Sequence, residues 1–161
     1  MQGMSQVIQV MGAMVIFSLI LMNMNRFMVL NDLALIQNEY DQVAMAVGQS
    51  LINEGRVLNF DEDDDPAQFT GPYSLGPGWD ESRTDPSKDP YDDFDDFNGY
   101  NVTKNINGVD YQVDVEVCYV QQSDLDQCYY GSTTFHKLMT VTVNNTYMDT
   151  PIQLQTVKSY Y

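Results

Sequence analysis

The chain opens on an apolar run longer than any small domain needs. From Val7 to Met22 it reads VIQVMGAMVIFSLILM, with one amide, Gln9, and no charge. Between Met4 and Leu30 the only charge is Arg26. A helix crossing ~30 Å of hydrocarbon needs ~20 mostly apolar residues, so this stretch can lie in a membrane. The helical pattern then continues. Apolar residues recur at Phe27, Leu30, Leu33, Ala34, Tyr40, Ala44, Val47, Leu51 and Leu58, one stripe on a period of about 3.6 residues. No proline precedes Pro66, and Gly12 and Gly48 are tolerable at ~1 kcal/mol each. A continuous helix of this extent is roughly 75–80 Å long. Its first half requires lipid or other subunits. The alternative is a break near Asn23–Arg26, with a transmembrane helix before it and a separate amphipathic helix after it.

A secretory signal has a basic start, an apolar stretch of about 7–15 residues and a small-x-small cleavage site. Here no Lys or Arg precedes the apolar run, the run is too long, and Met22-Asn-Met-Asn-Arg26 is a poor site. The segment is expected to be retained.

Charge narrows the partners. Asp and Glu number 23 against 7 Lys and Arg, which argues against nucleic acid, whose phosphates need basic partners, and against anionic membrane surfaces. Such a surface stays soluble when exposed; a solvated acidic face or a saline habitat is the plainer reading of the same numbers.

Residues 59–98 hold five of the six prolines, the runs DEDDD and DDFDDF, and the one tryptophan, Trp79. That density of breakers predicts irregular structure. Phe60, Phe69, Tyr73, Leu75, Trp79, Tyr91 and Phe94 supply anchors that a disordered linker would lack. Residues 99–161 are β-rich. Tyr111–Tyr119 alternates strictly, with Val113, Val115 and Val117 inward and Cys118 outward. Leu138–Val143 and Ile152–Val157 are further strands, and Tyr100–Ile106 precedes Asn107-Gly108, a hairpin turn. The expected fold is α+β: a helical region over 1–58, an acidic loop region over 59–98, and about four antiparallel strands in meander order over 99–161.

Cys118 and Cys128 lie close in sequence, as one disulfide of an exported domain would; two buried free thiols are the alternative. Ser123–Asp126 reads as a polar loop between them. The one histidine, His136, has no second ligand at metal spacing and reads as an ordinary surface residue. No nucleophile elbow, P-loop or dinucleotide fingerprint occurs, and an enzyme is not expected. Asp61, Asp63 and Asp65 are spaced like the first ligands of an EF-hand loop. Pro66 stands where that loop needs glycine, however, and Pro72 where it needs its glutamate. Asp92, Asp93, Asp95 and Asp96 are candidate ligands for a structural calcium ion, because crowded carboxylates repel without a cation; a solvated acidic loop is the simpler alternative. Asn101-Val-Thr103 and Asn144-Asn-Thr146 match the N-glycosylation pattern, which makes Asn101 and Asn144 candidate acceptors.

This layout resembles a type IV pilin or pseudopilin: a long N-terminal helix, apolar then amphipathic, then a loop and an antiparallel sheet. Leu51-Ile-Asn-Glu54 with Phe60-Asp61-Glu62, and Asp95-Asp-Phe-Asn-Gly-Tyr100, resemble the helix exit and acidic loop of minor pilins. Tyr111–Val117 and His136–Val143 resemble their paired strands. The chain departs from the family at its start. Gly3 before Met4 would mark a very short leader, yet the fifth residue after it is Ile8, and the fifth from Met1 is Ser5, where the family carries glutamate. The resemblance implies a structural subunit of a surface filament serving adhesion or motility. It would be inserted in the inner membrane, handled there by assembly machinery, and polymerised with copies of itself. Val7, Val10, Met14, Phe17, Leu19 and Leu21 would line the filament core, and Arg26 with the Gln6 and Gln9 amides would set register. A pseudopilin of a secretion machine and a single-pass membrane anchor carrying a binding domain are the alternatives.

Overall fold

A computed structural model describes residues 2–61, 65–76 and 93–161. Its elements are a helix α1 (Gln2–Val57), a short 3-10 turn (Asp95–Phe97), and strands β1 (Asn101–Ile106), β2 (Val109–Gln121), β3 (Asp124–Cys128), β4 (His136–Asn145) and β5 (Ile152–Ser159). The chain divides into two compact units, Met1–Tyr40 and Asp41–Tyr161. The arrangement of a long N-terminal helix followed by an antiparallel sheet is pilin-like.

In the first unit the helix is unbroken through Asn23–Arg26, so the two-helix alternative does not hold. Two of its polar side chains bond within the helix. Ser18 Oγ donates to the Met14 carbonyl at 2.8 Å, and Asn23 Nδ2 to that of Leu19 at 2.9 Å. They therefore interrupt neither the backbone ladder nor the apolar surface.

The second unit has its own core. The strands run β1-β2-β4-β5, all antiparallel, with β3 paired to β2. The four expected strands take the expected meander order, and β3 is a fifth. Asn107 and Gly108, at φ of 54° and 83°, turn β1 into β2, the left-handed pair that a two-residue hairpin needs. Register puts Val113 opposite Val143, Val115 opposite Val141 and Val117 opposite Met139. All six are at most 5 % exposed. The last turns of α1 cover this face with Ala44, Val47, Leu51 and Ile52. The helix comes close because glycines face the sheet. A Cβ on Gly48 would stand 2.8 Å from Leu154 Cδ1, and one on Gly55 2.6 Å from Met139 Cε.

Two local expectations are corrected. Ser123–Asp126 is not a loop: β3 starts at Asp124 and pairs back on β2, its polar residues being tolerable on an exposed edge strand. Cys118 is not exposed. It does point away from the valine face, but there it is buried with Val120 and Leu138, against Cys128 and Val157.

Candidate functional site

Three features could do chemistry or assembly, and each is built from a different element.

The first is the surface of α1 within Met1–Tyr40. From Met4 to Ile36 every large apolar side chain is at least 47 % exposed. Val7, Val10, Met14, Phe17, Leu19 and Leu21 are among them, and Arg26 is exposed with them. A helix apolar all round is stable in water only when something covers it. By length and composition this helix can cross a membrane.

The second is a buried ionic cluster at the head of β4. The strand alternates, so Lys137 falls in phase with Met139, Val141 and Val143 and points into the core, 0 % exposed. In register it stands opposite Tyr119 on β2 and Lys158 on β5. The chain leaving α1 brings Phe60 and Asp61 to it. A parallel bridge between Asn59 and Asp93, with the Phe94 amide donating to the Asn59 carbonyl at 3.1 Å, lays the Asp93–Phe97 segment alongside. Lys137 Nζ donates to the Phe60 carbonyl at 2.8 Å, to Asp61 Oδ2 at 2.8 Å, and to Asp95 Oδ1. The rings of Phe60 and Tyr119 flank it, with centroids at 4.5 and 5.2 Å. The Tyr119 hydroxyl donates to the Thr70 carbonyl at 2.8 Å, and the Thr70 amide to Asp61 Oδ2 at 3.1 Å. Phe69, Leu75 and Tyr160 close over the group.

Among the described residues acid exceeds base in this cluster. Asp61, Asp93, Asp95 and Asp96 are at most 2 % exposed, against one fully buried ammonium. Asp93 and Asp96 organise the turn. Asp93 Oδ1 accepts the Asp95 and Asp96 amides at 2.9 and 3.1 Å, and Asp96 Oδ2 accepts the Asp93 amide at 3.1 Å. Burial pushes Asp95 up to about 8, against the attraction of Lys137 and with repulsion from Asp93. Burial likewise raises the Tyr119 phenol, with Asp61 and Asp95 adding to the shift. Asp95 Oδ2 has no hydrogen-bond partner among the described residues. Lys158 stands nearby, over the Phe94 ring at 5.4 Å, donating to the carbonyls of Gly55 and Arg56 at the end of α1 and of Leu58 just after it. Burial lowers its pKa, and Asp93 opposes the shift.

The solvated-loop reading of the acidic run is thereby corrected: Asp93, Asp95 and Asp96 are core residues. Asp92 lies outside the described residues, as do Asp63, Trp79 and Tyr91. Among the described residues no group of three or more His, Cys, Asp or Glu side chains is arranged to hold a metal ion. Among the described residues the cation bonded to Asp61 and Asp95 is Lys137. Sequence reasoning missed it, although its phase with Met139, Val141 and Val143 was the available signal. His136 is half-buried rather than a plain surface residue, with Nδ1 2.8 Å from Ser159 Oγ.

The third feature is a polar groove of about 390 Å³ at the far end of β4, lined by Thr103, Asp110, Gln112, Asn144, Asn145 and Thr146. Asn145 is 7 % exposed; its Oδ1 accepts the Tyr147 amide at 2.7 Å, and its Nδ2 has no partner among the described residues. Asn101 and Asn144, the candidate glycan acceptors, are both exposed. Near the head of β4, Cys118 and Cys128 form a disulfide with Cα atoms 5.5 Å apart.

No protein-family model matches the chain, and no curated protein or solved structure matches it.

Proposed function

We propose that the chain is a structural subunit of an extracellular, pilin-like filament that polymerises with copies of itself through the apolar part of α1. The observation that supports this is the set of exposed large apolar side chains from Met4 to Ile36, in a unit distinct from the one that holds the sheet and its buried core. Burying such side chains is worth about 1.5–3 kcal/mol each, a driving force that lipid meets before assembly and sister helices meet after it. The acidic domain then faces solvent, inner-membrane machinery handles the subunit, and no catalytic role is assigned. A structural calcium ion is not needed for the Asp cluster, where Lys137 supplies the positive charge.

The same helix also suits a single-pass membrane anchor displaying a binding domain, and a pseudopilin. Electron microscopy of material sheared from producing cells separates these readings. Long ordered filaments containing the chain support the proposal. Chain recovered only from detergent-extracted membranes overturns it.

A further inference from the structure

Lys137, Asp95 and Asp61 meet in a space closed to water. Lys137 and Asp95 are 0 % exposed and Asp61 is 2 % exposed. Nζ touches Asp95 Oδ1 and lies 2.8 Å from Asp61 Oδ2. Two aromatic rings wall the nitrogen. Buried ions without full compensation neutralise by proton transfer. Asp95 is compensated on one oxygen only: Lys137 donates to Oδ1, while Oδ2 is buried and accepts no hydrogen bond from the described residues. A neutral carboxyl is electrophilic at carbon, whereas a carboxylate is not. A nitrogen held against that group, with a second acid on the same nitrogen to take its proton, has the parts of an amide-forming site.

We propose that Lys137 and Asp95 condense into an intramolecular isopeptide bond, with Asp61 as the proton acceptor. The ammonium gives one proton to Asp61. The neutral Nζ attacks Cγ of the protonated Asp95, and the Nζ–Cγ bond forms. The Cγ–Oδ2 bond then breaks. Oδ2 leaves as water with its own hydrogen and a second one from Nζ, and one hydrogen stays on the amide nitrogen. Asp61 ends as a neutral acid. No oxidant, nucleotide or metal is consumed. The reaction removes a buried ion pair, and the oxygen it expels is one to which none of the described residues donates. The remaining Nζ–H keeps the Phe60 carbonyl as its acceptor. The bond ties β4 to the turn 42 residues earlier in the chain, so the Asp95–Phe97 turn is clamped to the sheet by a link separate from the disulfide. It requires the folded domain only, whether or not the chain assembles.

The test is intact-mass spectrometry of the full chain, purified in detergent, reduced and denatured. The expected mass is one water below that of the reduced sequence, and digestion yields a branched peptide containing both Asp95 and Lys137. Asp95→Ala and Lys137→Arg each restore the full mass. Asp61→Asn retains both bonding groups and lowers the linked fraction. Wild-type chain at full mass overturns the proposal, as does a water loss that maps elsewhere. An undiminished linked fraction in Asp61→Asn overturns the role of Asp61. The wild-type measurement decides the bond even where a variant fails to fold.

Discussion

The Tyr119 phenol is buried and donates to the Thr70 carbonyl at 2.8 Å. That contact ties the irregular segment after α1 to the sheet. Removing only the oxygen, as in Tyr119→Phe, leaves the ring packing in place and takes one donor from a part-buried acceptor. The expected loss is about 1–3 kcal/mol of unfolding free energy, read by urea denaturation of the detergent-solubilised chain. An unchanged midpoint would show that the bond contributes nothing net. Cys118 and Cys128 close a short loop that spans the β2–β3 turn. Unreduced chain should show no alkylatable thiol, and reduction should lower stability by about 2–3 kcal/mol. Two reactive thiols in native material would contradict the pairing.

Among the elements, α1 is one continuous helix that belongs to both compact units. Over residues 41–57 it packs on the sheet through small residues. Gly55 is buried, and a side chain there would run into Met139. Gly55→Val should therefore cost about 1–3 kcal/mol by overpacking, and Met139→Ala about 2–5 kcal/mol by leaving a cavity. The double variant should lose less than the sum, with a coupling of at least ~0.5 kcal/mol; strict additivity would mean that the two do not meet. Before Tyr40 the described residues leave Ile16 and Leu19 60 % and 52 % exposed. Ile16→Asp should abolish filaments in sheared preparations while leaving the near-ultraviolet circular dichroism of the second unit unchanged. Normal filaments from this variant would rule out a core role for that helix surface.

At the scale of the molecule, charge opposes assembly. The formal net charge is −16, and four of the acids are spent inside the domain on Lys137 and the 93–97 turn. The rest must be brought near their copies in any filament. Screening over about 10 Å at 0.1 M salt reduces that repulsion. Filaments should loosen and shorten as ionic strength falls, seen by sedimentation and microscopy at constant pH. Equal length across the salt range would remove repulsion from the account.

Periodicity was enough to find α1, the valine face of β2 and the strands that became β4 and β5, and turn chemistry to find Asn107-Gly108. Each rests on local physics: a repeat of hydrophobicity, or a backbone angle that few residues adopt. The pairing of Cys118 with Cys128 was legible for the same reason, since little chain separates them. What sequence reading could not supply was the partner of each polar group. Asp93, Asp95 and Asp96 look like any solvated acidic run until the fold carries Lys137 to them across the sheet. Cys118 looks exposed until Leu138 and Val157 cover the second face. β3 looks like loop because its residues are polar, and only pairing with β2 makes it a strand. Burial of a charge depends on long-range contacts, whose energy is not written in neighbouring residues, and that is why the acidic cluster was decided by tertiary structure alone.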